Sequence, residues 1–212
     1  MKKLLIVGTG GQGKVVLDCA IKIGAYSQIS FITNDLSSKK FDGYPIYYEQ
    51  NIGENNKTFY NDFDEVIVAI GDNKSRLAKS HKFSYDGLQL ATLIHPRAVI
   101  SEFSKIREGT VVFANAVVNP FASIGLACII NTGAIVEHDC ILGDGVHISP
   151  NALVAGNVTI GTESWICAGV CISNNINVGS NCIVGAGGVV LRDMPNNVLA
   201  AGIPAVIKKE LK

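Results

Sequence analysis

Net charge, long apolar runs and paired cysteine motifs are all missing from this sequence of 212 residues. Eighteen basic residues balance eighteen acidic ones and no Lys/Arg run exceeds a pair, so we expect no binding to nucleic acid or to an anionic membrane. No stretch is long and apolar enough to insert into and span a bilayer. The apolar run after Met1 stops at Gly8, too early for a signal peptide.

Cysteine pairing is also missing, because the six cysteines form no C-x-x-C motif. Three of them, Cys128, Cys140 and Cys182, occupy a small-residue position of the repeat described next. We therefore expect reduced cysteines that fill a core, rather than a zinc or disulfide site. A cytoplasmic location follows from this expectation.

A period of six residues dominates the second half of the chain. Branched aliphatic residues occupy sixteen successive positions at this spacing, and a small residue often stands two positions earlier. Such a period indicates one repeated unit that buries its apolar residue only when neighbouring units stack. Three hexapeptides close a triangular coil, so the sequence predicts a hexapeptide-repeat β-helix. The sixteen positions are Ile100, Ile106, Val112, Val118, Ile124, Ile130, Val136, Leu142, Ile148, Val154, Ile160, Ile166, Ile172, Val178, Val184 and Val190.

Glycine often follows the repeated aliphatic residue. We expect these glycines to give the backbone the freedom to bend at the corners of the coil. They are Gly125, Gly143, Gly161, Gly179 and Gly185.

The first ninety or so residues predict a small α/β domain instead. Apolar runs and helical spacing alternate, which indicates a parallel sheet built from βα units. The pattern changes near His95-Pro96, so we divide the chain into domains 1–94 and 95–212. The predicted strands are 3–7, 28–33 and 66–70, and the predicted helices are 14–23 and 73–83.

A glycine-rich turn joins the first predicted strand to the first helix. Gly8, Gly10 and Gly13 satisfy G-x-G-x-x-G, in which backbone N–H groups at a helix N-terminus meet a phosphate. Asp35 follows Gly13 by 22 residues, a sequence spacing at which an acidic residue can accept a hydrogen bond from a ribose hydroxyl. The domain is barely half of a dinucleotide domain, so we expect a nucleotide and not nicotinamide chemistry. A turn that merely packs the helix on the strand is the alternative.

Two of the four histidines, His138 and His147, lie within the repeat. His147 precedes the inward-facing Ile148 and should point outward, whereas His138 should lie at a corner. Nine residues separate them, half of an eighteen-residue coil, so they should belong to different faces of one prism. If both serve one site, two subunits must supply them. An exposed structural histidine is the alternative for either residue.

The chain resembles the NeuD/PglD-type hexapeptide-repeat sugar acetyltransferases over nearly its whole length. The most specific match is Val136-Glu137-His138-Asp139-Cys140 with the following His147. The family's fold is a Rossmann-like βαβ domain followed by a left-handed parallel β-helix. The other matching motifs are Gly8 to Gly13, Ala69 to Asn73, Leu93 to Pro96, Asn131-Thr132-Gly133, Gly143-Asp144, Ala155 to Val158 and Gly202 to Ala205.

The resemblance implies roles for particular residues. His138 would be the general base that deprotonates the sugar nucleophile, and Asp139 would orient its imidazole, with Glu137 as the competing carboxylate. His147 would donate to the thioester oxygen of acetyl-CoA, and Asn131 would hold the amino sugar. Acetyl-CoA would also contact Ala168, Ala186 and Gly187, and the nucleotide would contact Gly10, Gly11, Gln12, Thr33, Asn34, Asp35 and Gly71.

Three functions remain open on this basis. The first is acetyl-CoA-dependent N-acetylation of a nucleotide-linked 4-amino-4,6-dideoxy sugar, for bacterial glycan or O-antigen synthesis. The second is O-acetylation of sialic acid or a related sugar by the same mechanism. The third is a non-catalytic scaffold. The resemblance also implies a homotrimer and no metal.

Overall fold

The computed structural model describes residues 1–37, 43–52 and 57–211. The chain forms two compact units, Met1–Leu93 and Ile94–Lys212. Their boundary lies one residue before the one expected from the sequence. Within the described residues, the structure contains no helix long and apolar enough to cross a membrane.

The N-terminal unit is a four-stranded parallel sheet with helices. Its strand order is β3-β2-β1-β4. Helix α1 begins three residues before the expected start, and the short elements between β2 and β4 were not predicted, because β3 is half-buried and lacks an apolar alternation. The elements are β1 (Lys2–Val7), α1 (Gly11–Ile23), β2 (Tyr26–Thr33), β3 (Ile46–Tyr48), α2 (Glu49–Ile52), α3 (Lys57–Tyr60), β4 (Glu65–Val68) and α4 (Asn73–Tyr85).

Local chemistry sets the ends of the two long helices. Helix α1 stops at Gly24, whose φ of 69° is left-handed and whose N–H reaches the carbonyls of the last turn. Helix α4 starts after Asp72, whose Oδ1 accepts from the Ser75 N–H at 2.8 Å. This hydrogen bonding from Ser75 lowers the pKa of Asp72. Helix α1 follows β1 and helix α4 follows β4, so both helices start at the carboxyl end of a strand of the parallel sheet.

The second unit is a parallel β-helix. Sixteen two-residue strands, β6 to β21, each end on one of the sixteen positions predicted from the repeat. Each pairs in parallel with the strand eighteen residues away, so three hexapeptides do close one coil. Leu93–Ile94 forms β5. The sixteen strands are Val99–Ile100, Lys105–Ile106, Val111–Val112, Val117–Val118, Ser123–Ile124, Ile129–Ile130, Ile135–Val136, Ile141–Leu142, His147–Ile148, Leu153–Val154, Thr159–Ile160, Trp165–Ile166, Cys171–Ile172, Asn177–Val178, Ile183–Val184 and Val189–Val190.

The strands form three faces, numbered here in chain order. The first face holds β6, β9, β12, β15, β18 and β21, and the second holds β7, β10, β13, β16 and β19. The third face includes β8, β11, β14, β17 and β20 and continues into the C-terminal hairpin of β22 (Val198–Gly202) and β23 (Ala205–Glu210). The repeated aliphatic residues fill the interior, and from Val112 to Val190 each is at most 2% exposed.

The corners of the coil correct one expectation from the sequence. Left-handed backbone occurs three residues before the repeated aliphatic position, for example at Asn115 and Asp139. The glycines after that position serve close stacking instead: a Cβ on Gly143 or Gly161 would lie 2.7 or 2.4 Å from a backbone nitrogen of the next coil. Glycine occurs at these positions because there is no room for a side chain between successive coils, and not because the backbone has to bend there.

Candidate functional site

The N-terminal unit contains a cavity of about 540 Å³ at the carboxyl ends of β1, β2 and β4. Ligands of open parallel sheets bind at this edge, where loops from neighbouring strands meet. The cavity brings together all seven residues predicted to bind the nucleotide, namely Gly10, Gly11, Gln12, Thr33, Asn34, Asp35 and Gly71.

The glycines of the G-x-G-x-x-G turn divide into two groups. A Cβ on Gly8 would lie 2.8 Å from the Ala69 oxygen, and one on Gly13 would lie 2.4 Å from the Gly8 oxygen. These two glycines permit close packing of helix, strand and turn. A Cβ on Gly10 or Gly11 would meet nothing within 4 Å, so these residues leave backbone accessible to a ligand.

Hydrogen-bond donors collect at the start of α1. Gly10 is the N-cap and has no side chain to accept from the N–H groups of the first turn. Within the described part of the chain, Gln12 Nε2 is buried without a hydrogen-bond partner. Across the cavity, Asp35 Oδ1 accepts from the Ser37 N–H and hydroxyl at 2.9 and 2.6 Å. The α1 end of the cavity therefore suits an anion or another strong acceptor.

The buried residue Arg76 was not predicted to serve this cavity. Only 1% exposed, its guanidinium donates to the carbonyls of Ile70 and Gly71 at 3.0 and 3.1 Å. It also donates to Asn73 Oδ1 at 2.8 Å. These contacts fix the loop that forms one cavity wall. No sequence pattern indicates this role, because Arg76 lies in a polar helix whose other residues include several lysines.

His138 and Asp139 lie at the corner between the first and second faces, and both are exposed. His138 Nδ1 and Asp139 Oδ2 are 2.8 Å apart. Neighbouring side chains diverge along a strand, but Asp139 has a φ of 60°, and this corner brings the side chains of His138 and Asp139 together. Glu137 contacts the His138 backbone N–H at 3.4 Å instead. An ionised carboxylate can only accept, so in the neutral imidazole Nδ1 carries the proton and Nε2 has the lone pair.

Gly156, one coil beyond His138, makes room for the imidazole. A Cβ at this position would lie 2.6 Å from both Cε1 and Nε2 of His138. The Gly156 N–H donates to Asn174 Oδ1, one further coil along, at 2.9 Å. Sequence reasoning gave neither residue a role. The signal that would have found them is the eighteen-residue spacing that links His138, Gly156 and Asn174.

His147 lies on the third face, in β14, and is outside the hydrophobic core as expected. It is nevertheless only 8% exposed, because the Trp165 ring stacks on it with centroids 5.8 Å apart and an interplanar angle of 6°. Asn131 Nδ2 lies 3.2 Å from His147 Nε2, and an amide nitrogen can only donate. In the neutral ring the N–H is then at Nδ1. Trp165 was missed, although it follows His147 by eighteen residues.

Three residues predicted to contact acetyl-CoA lie together in one chain, but His138 of the same chain lies apart from them. Ala168, Ala186 and Gly187 lie at the corner between the third and first faces, and the Gly187 N–H donates to the Ala168 carbonyl at 2.9 Å. His138 lies at the opposite end of the first face.

Across residues 1–37, 43–52 and 57–211, the structure has no group of three His, Cys, Asp or Glu side chains arranged to hold a metal ion.

Comparison with known proteins adds a family to this geometry. The sequence profile of the PglD N-terminal domain matches residues 3–83. A curated relative, the UDP-N-acetylbacillosamine N-acetyltransferase of Bacillus subtilis strain 168, is 35% identical over 113 residues, which cover 52% of this chain. The alignment covers only 50% of that relative's own length.

Two solved structures match over nearly their full lengths. A His-to-Asn variant of perosamine N-acetyltransferase from Caulobacter crescentus, in complex with CoA and GDP-perosamine, is 34% identical, with a TM-score of 0.92 over 99% of this chain and 98% of that one. The acetyltransferase domain of PglB from Neisseria gonorrhoeae FA1090, in complex with acetyl coenzyme A, is 36% identical, with a TM-score of 0.89 over 97% and 98%. The predicted α/β domain followed by a left-handed parallel β-helix is confirmed, and the chain belongs to the NeuD/PglD family of hexapeptide-repeat sugar acetyltransferases.

Proposed function

We propose that this protein transfers the acetyl group of acetyl-CoA to the amine of a nucleotide-linked 4-amino-4,6-dideoxy sugar. The product would serve bacterial glycan synthesis, as an O-antigen or a glycoprotein glycan. The observation that carries the proposal is the 2.8 Å contact between His138 Nδ1 and Asp139, which leaves Nε2 as a base. The relatives support the amine as acceptor, because their names specify N-acetylation.

The proposed reaction is a direct attack on the thioester. The sugar amine forms a bond to the acetyl carbonyl carbon, and His138 Nε2 takes the proton that the nitrogen loses. The C–S bond then breaks and coenzyme A leaves as the thiolate, which is protonated. His147, through an N–H, would stabilise the charge that develops on the thioester oxygen. Asn131 would hold the amino sugar, and Ala168, Ala186 and Gly187 would contact acetyl-CoA.

The N-terminal cavity would bind the nucleotide of the sugar that accepts the acetyl group. Support comes from its volume, from the open backbone at Gly10 and Gly11 and from the unpartnered Gln12 amide.

A cytoplasmic location belongs to the same proposal, since all six cysteines are free thiols. Burial raises the pKa of the Cys140 thiol and, to about 12, that of Cys19, which keeps them protonated and unreactive.

Thiol release from acetyl-CoA is the test of this function. We expect turnover with at least one 4-amino-4,6-dideoxy sugar in a panel linked to UDP, dTDP or GDP. The matched control is the same nucleotide sugar with a 4-hydroxyl group, which we expect to turn over far more slowly. Faster release with sialic acid, or with CMP-sialic acid, would instead support O-acetylation. No release with any acceptor would contradict the enzymatic proposal.

A homotrimer is part of the proposal, because the two histidines lie on different parts of one prism. A six-residue side spans about 20 Å, too far for His138 and His147 to act on one acetyl group within a chain. A groove between two subunits would bring His138 of one to His147 of the other.

Subunit mixing tests this arrangement. We expect His138→Ala and His147→Ala to be nearly inactive separately, and their mixed trimers to recover about a third of wild-type activity, because one of the three grooves in each mixed trimer then has both histidines. Each variant mixed with itself is the control. Co-expressed subunits purified on two different tags, with the mass checked by sedimentation, give the measurement. Mixed trimers without recovered activity would place both histidines in one subunit's site.

A further inference from the structure

An ion pair forms part of the wall of the N-terminal cavity. Glu49 is the first residue of α2 and Lys79 lies in the middle of α4, and their carboxylate and ammonium groups are in direct contact. Both side chains are 23% exposed, so neither is fully hydrated. Both also line the cavity that holds Gly10, Gln12 and Asp35.

The charges around this cavity are poorly matched to an anionic ligand unless Lys79 takes part. Among the described residues that line it, Asp35 and Glu49 are acidic and Lys79 is the single base. The diphosphate of a nucleotide sugar adds further negative charge. The N–H groups at the start of α1 offset some of it, and a lysine ammonium is the usual point charge for the remainder.

We propose that Lys79 is the cationic contact for the diphosphate of the bound nucleotide, and that Glu49 holds this side chain at the cavity wall until the ligand arrives. The inference rests on the proposed function and names a contact that the family resemblance did not supply. Lysine suits an exchange of partners, because its ammonium has three donors on a flexible stem. Glu49 then competes with the ligand for Lys79 and repels the incoming phosphates.

A purely structural ion pair is the alternative, since the contact also ties α2 to α4. The two cases predict opposite effects of removing Glu49 on ligand binding. If the pair only supports the fold, removing either charge should weaken ligand binding alike, because each removal leaves an unpaired charge in a half-buried position. If Lys79 binds phosphate, removing Lys79 should weaken binding and removing Glu49 should strengthen it.

Calorimetric titration of the full-length protein separates these cases. The probes are UDP, dTDP and GDP, each beside its unphosphorylated nucleoside. For the diphosphate that binds best, we expect Lys79→Met to raise Kd about tenfold to a hundredfold, from the 1.5–3 kcal/mol typical of a hydrogen bond to a charged group. Nucleoside affinity should stay within twofold of wild type. Glu49→Gln should lower the Kd for the diphosphate.

Two further variants control for charge and for folding. Lys82→Met removes the same charge from the same helix, but Lys82 pairs with Asp86 and does not line the cavity, so the Kd should not change. The double variant Glu49→Gln/Lys79→Met leaves no unpaired charge and should fold even if Lys79→Met does not. We expect it to bind the diphosphate as weakly as Lys79→Met does.

Three results would overturn the inference: a Kd for Lys79→Met within twofold of wild type, equal weakening by Lys79→Met and Glu49→Gln, or wild-type affinity in the double variant. These outcomes leave the proposed function standing, because the wild-type protein would still bind the nucleotide. If the wild-type protein binds none of the three diphosphates, the nucleotide-binding part of the proposed function fails together with the inference.

Discussion

Replacing His138 with alanine is expected to lower kcat about 10²- to 10⁴-fold, the usual contribution of a general base. The reason is that Nε2 is the basic atom left when Nδ1 donates to Asp139 at 2.8 Å. Binding of acetyl-CoA should change little, so KM for acetyl-CoA should stay close to the wild-type value. Initial rates of thiol release at saturating acceptor give the measurement.

Two substitutions sharpen this result. His81→Ala removes an exposed imidazole from α4, in the other unit, and should leave kcat unchanged. Asp139→Asn keeps a residue that tolerates the φ of 60°, so it removes the carboxylate without straining the corner. We expect a smaller loss of kcat than in His138→Ala. Wild-type kcat in His138→Ala would exclude the base role.

The second large effect is expected from a single methyl group. In Gly156→Ala the new Cβ would lie 2.6 Å from Cε1 and Nε2 of His138, so the imidazole has to move. The backbone of Gly156 is not in the left-handed region that disfavours alanine, and the three atoms nearest to the new Cβ are all in the imidazole ring. The fold should therefore tolerate the change. A displacement of about 1 Å in a catalytic group can cost about 10²-fold in rate, and we expect a loss of this size in kcat.

A double-mutant cycle isolates the cause of that loss. If the methyl group acts only by displacing the imidazole, Gly156→Ala should have no further effect on kcat in a His138→Ala background. Gly161→Ala is the comparison for coil packing, because its Cβ would meet Ser180 N at 2.4 Å and not the imidazole. It should lower thermal stability more than Gly156→Ala does. Additive losses in the cycle would show that Gly156→Ala damages the coil itself.

The repeat explains why so much of the β-helix could be predicted. Each of the sixteen aliphatic positions is tied to the interior by the same geometry, so one register fixes every strand from Val99 to Val190. The corner position of His138 and the outward direction of His147 follow from that register. Trp165 lies one coil beyond His147, and Gly156 lies one coil beyond His138. The six-residue register alone does not predict these two contacts, because they join residues that are eighteen positions apart.

The N-terminal unit was less predictable. Strand β1 and helix α1 have strong local signals, namely a buried apolar run and a C-terminal glycine at Gly24. Strand β3 has three half-buried residues and no such signal. The ion pair of Glu49 with Lys79 joins two segments that are 30 residues apart in the sequence. No local pattern predicts such contacts, because the fold of the whole sheet brings the partners together.

The left-handed corner at Asp139 does not by itself require an aspartate. Most equivalent corners have asparagine or glycine, which adopt this backbone more readily than other residues. Asp139 is held there with its charge exposed next to an imidazole, in a place where a neutral amide would serve the coil equally well. If Asp139 orients His138 as proposed, asparagine would preserve this corner while removing the carboxylate, so selection for folding stability alone would not retain the aspartate.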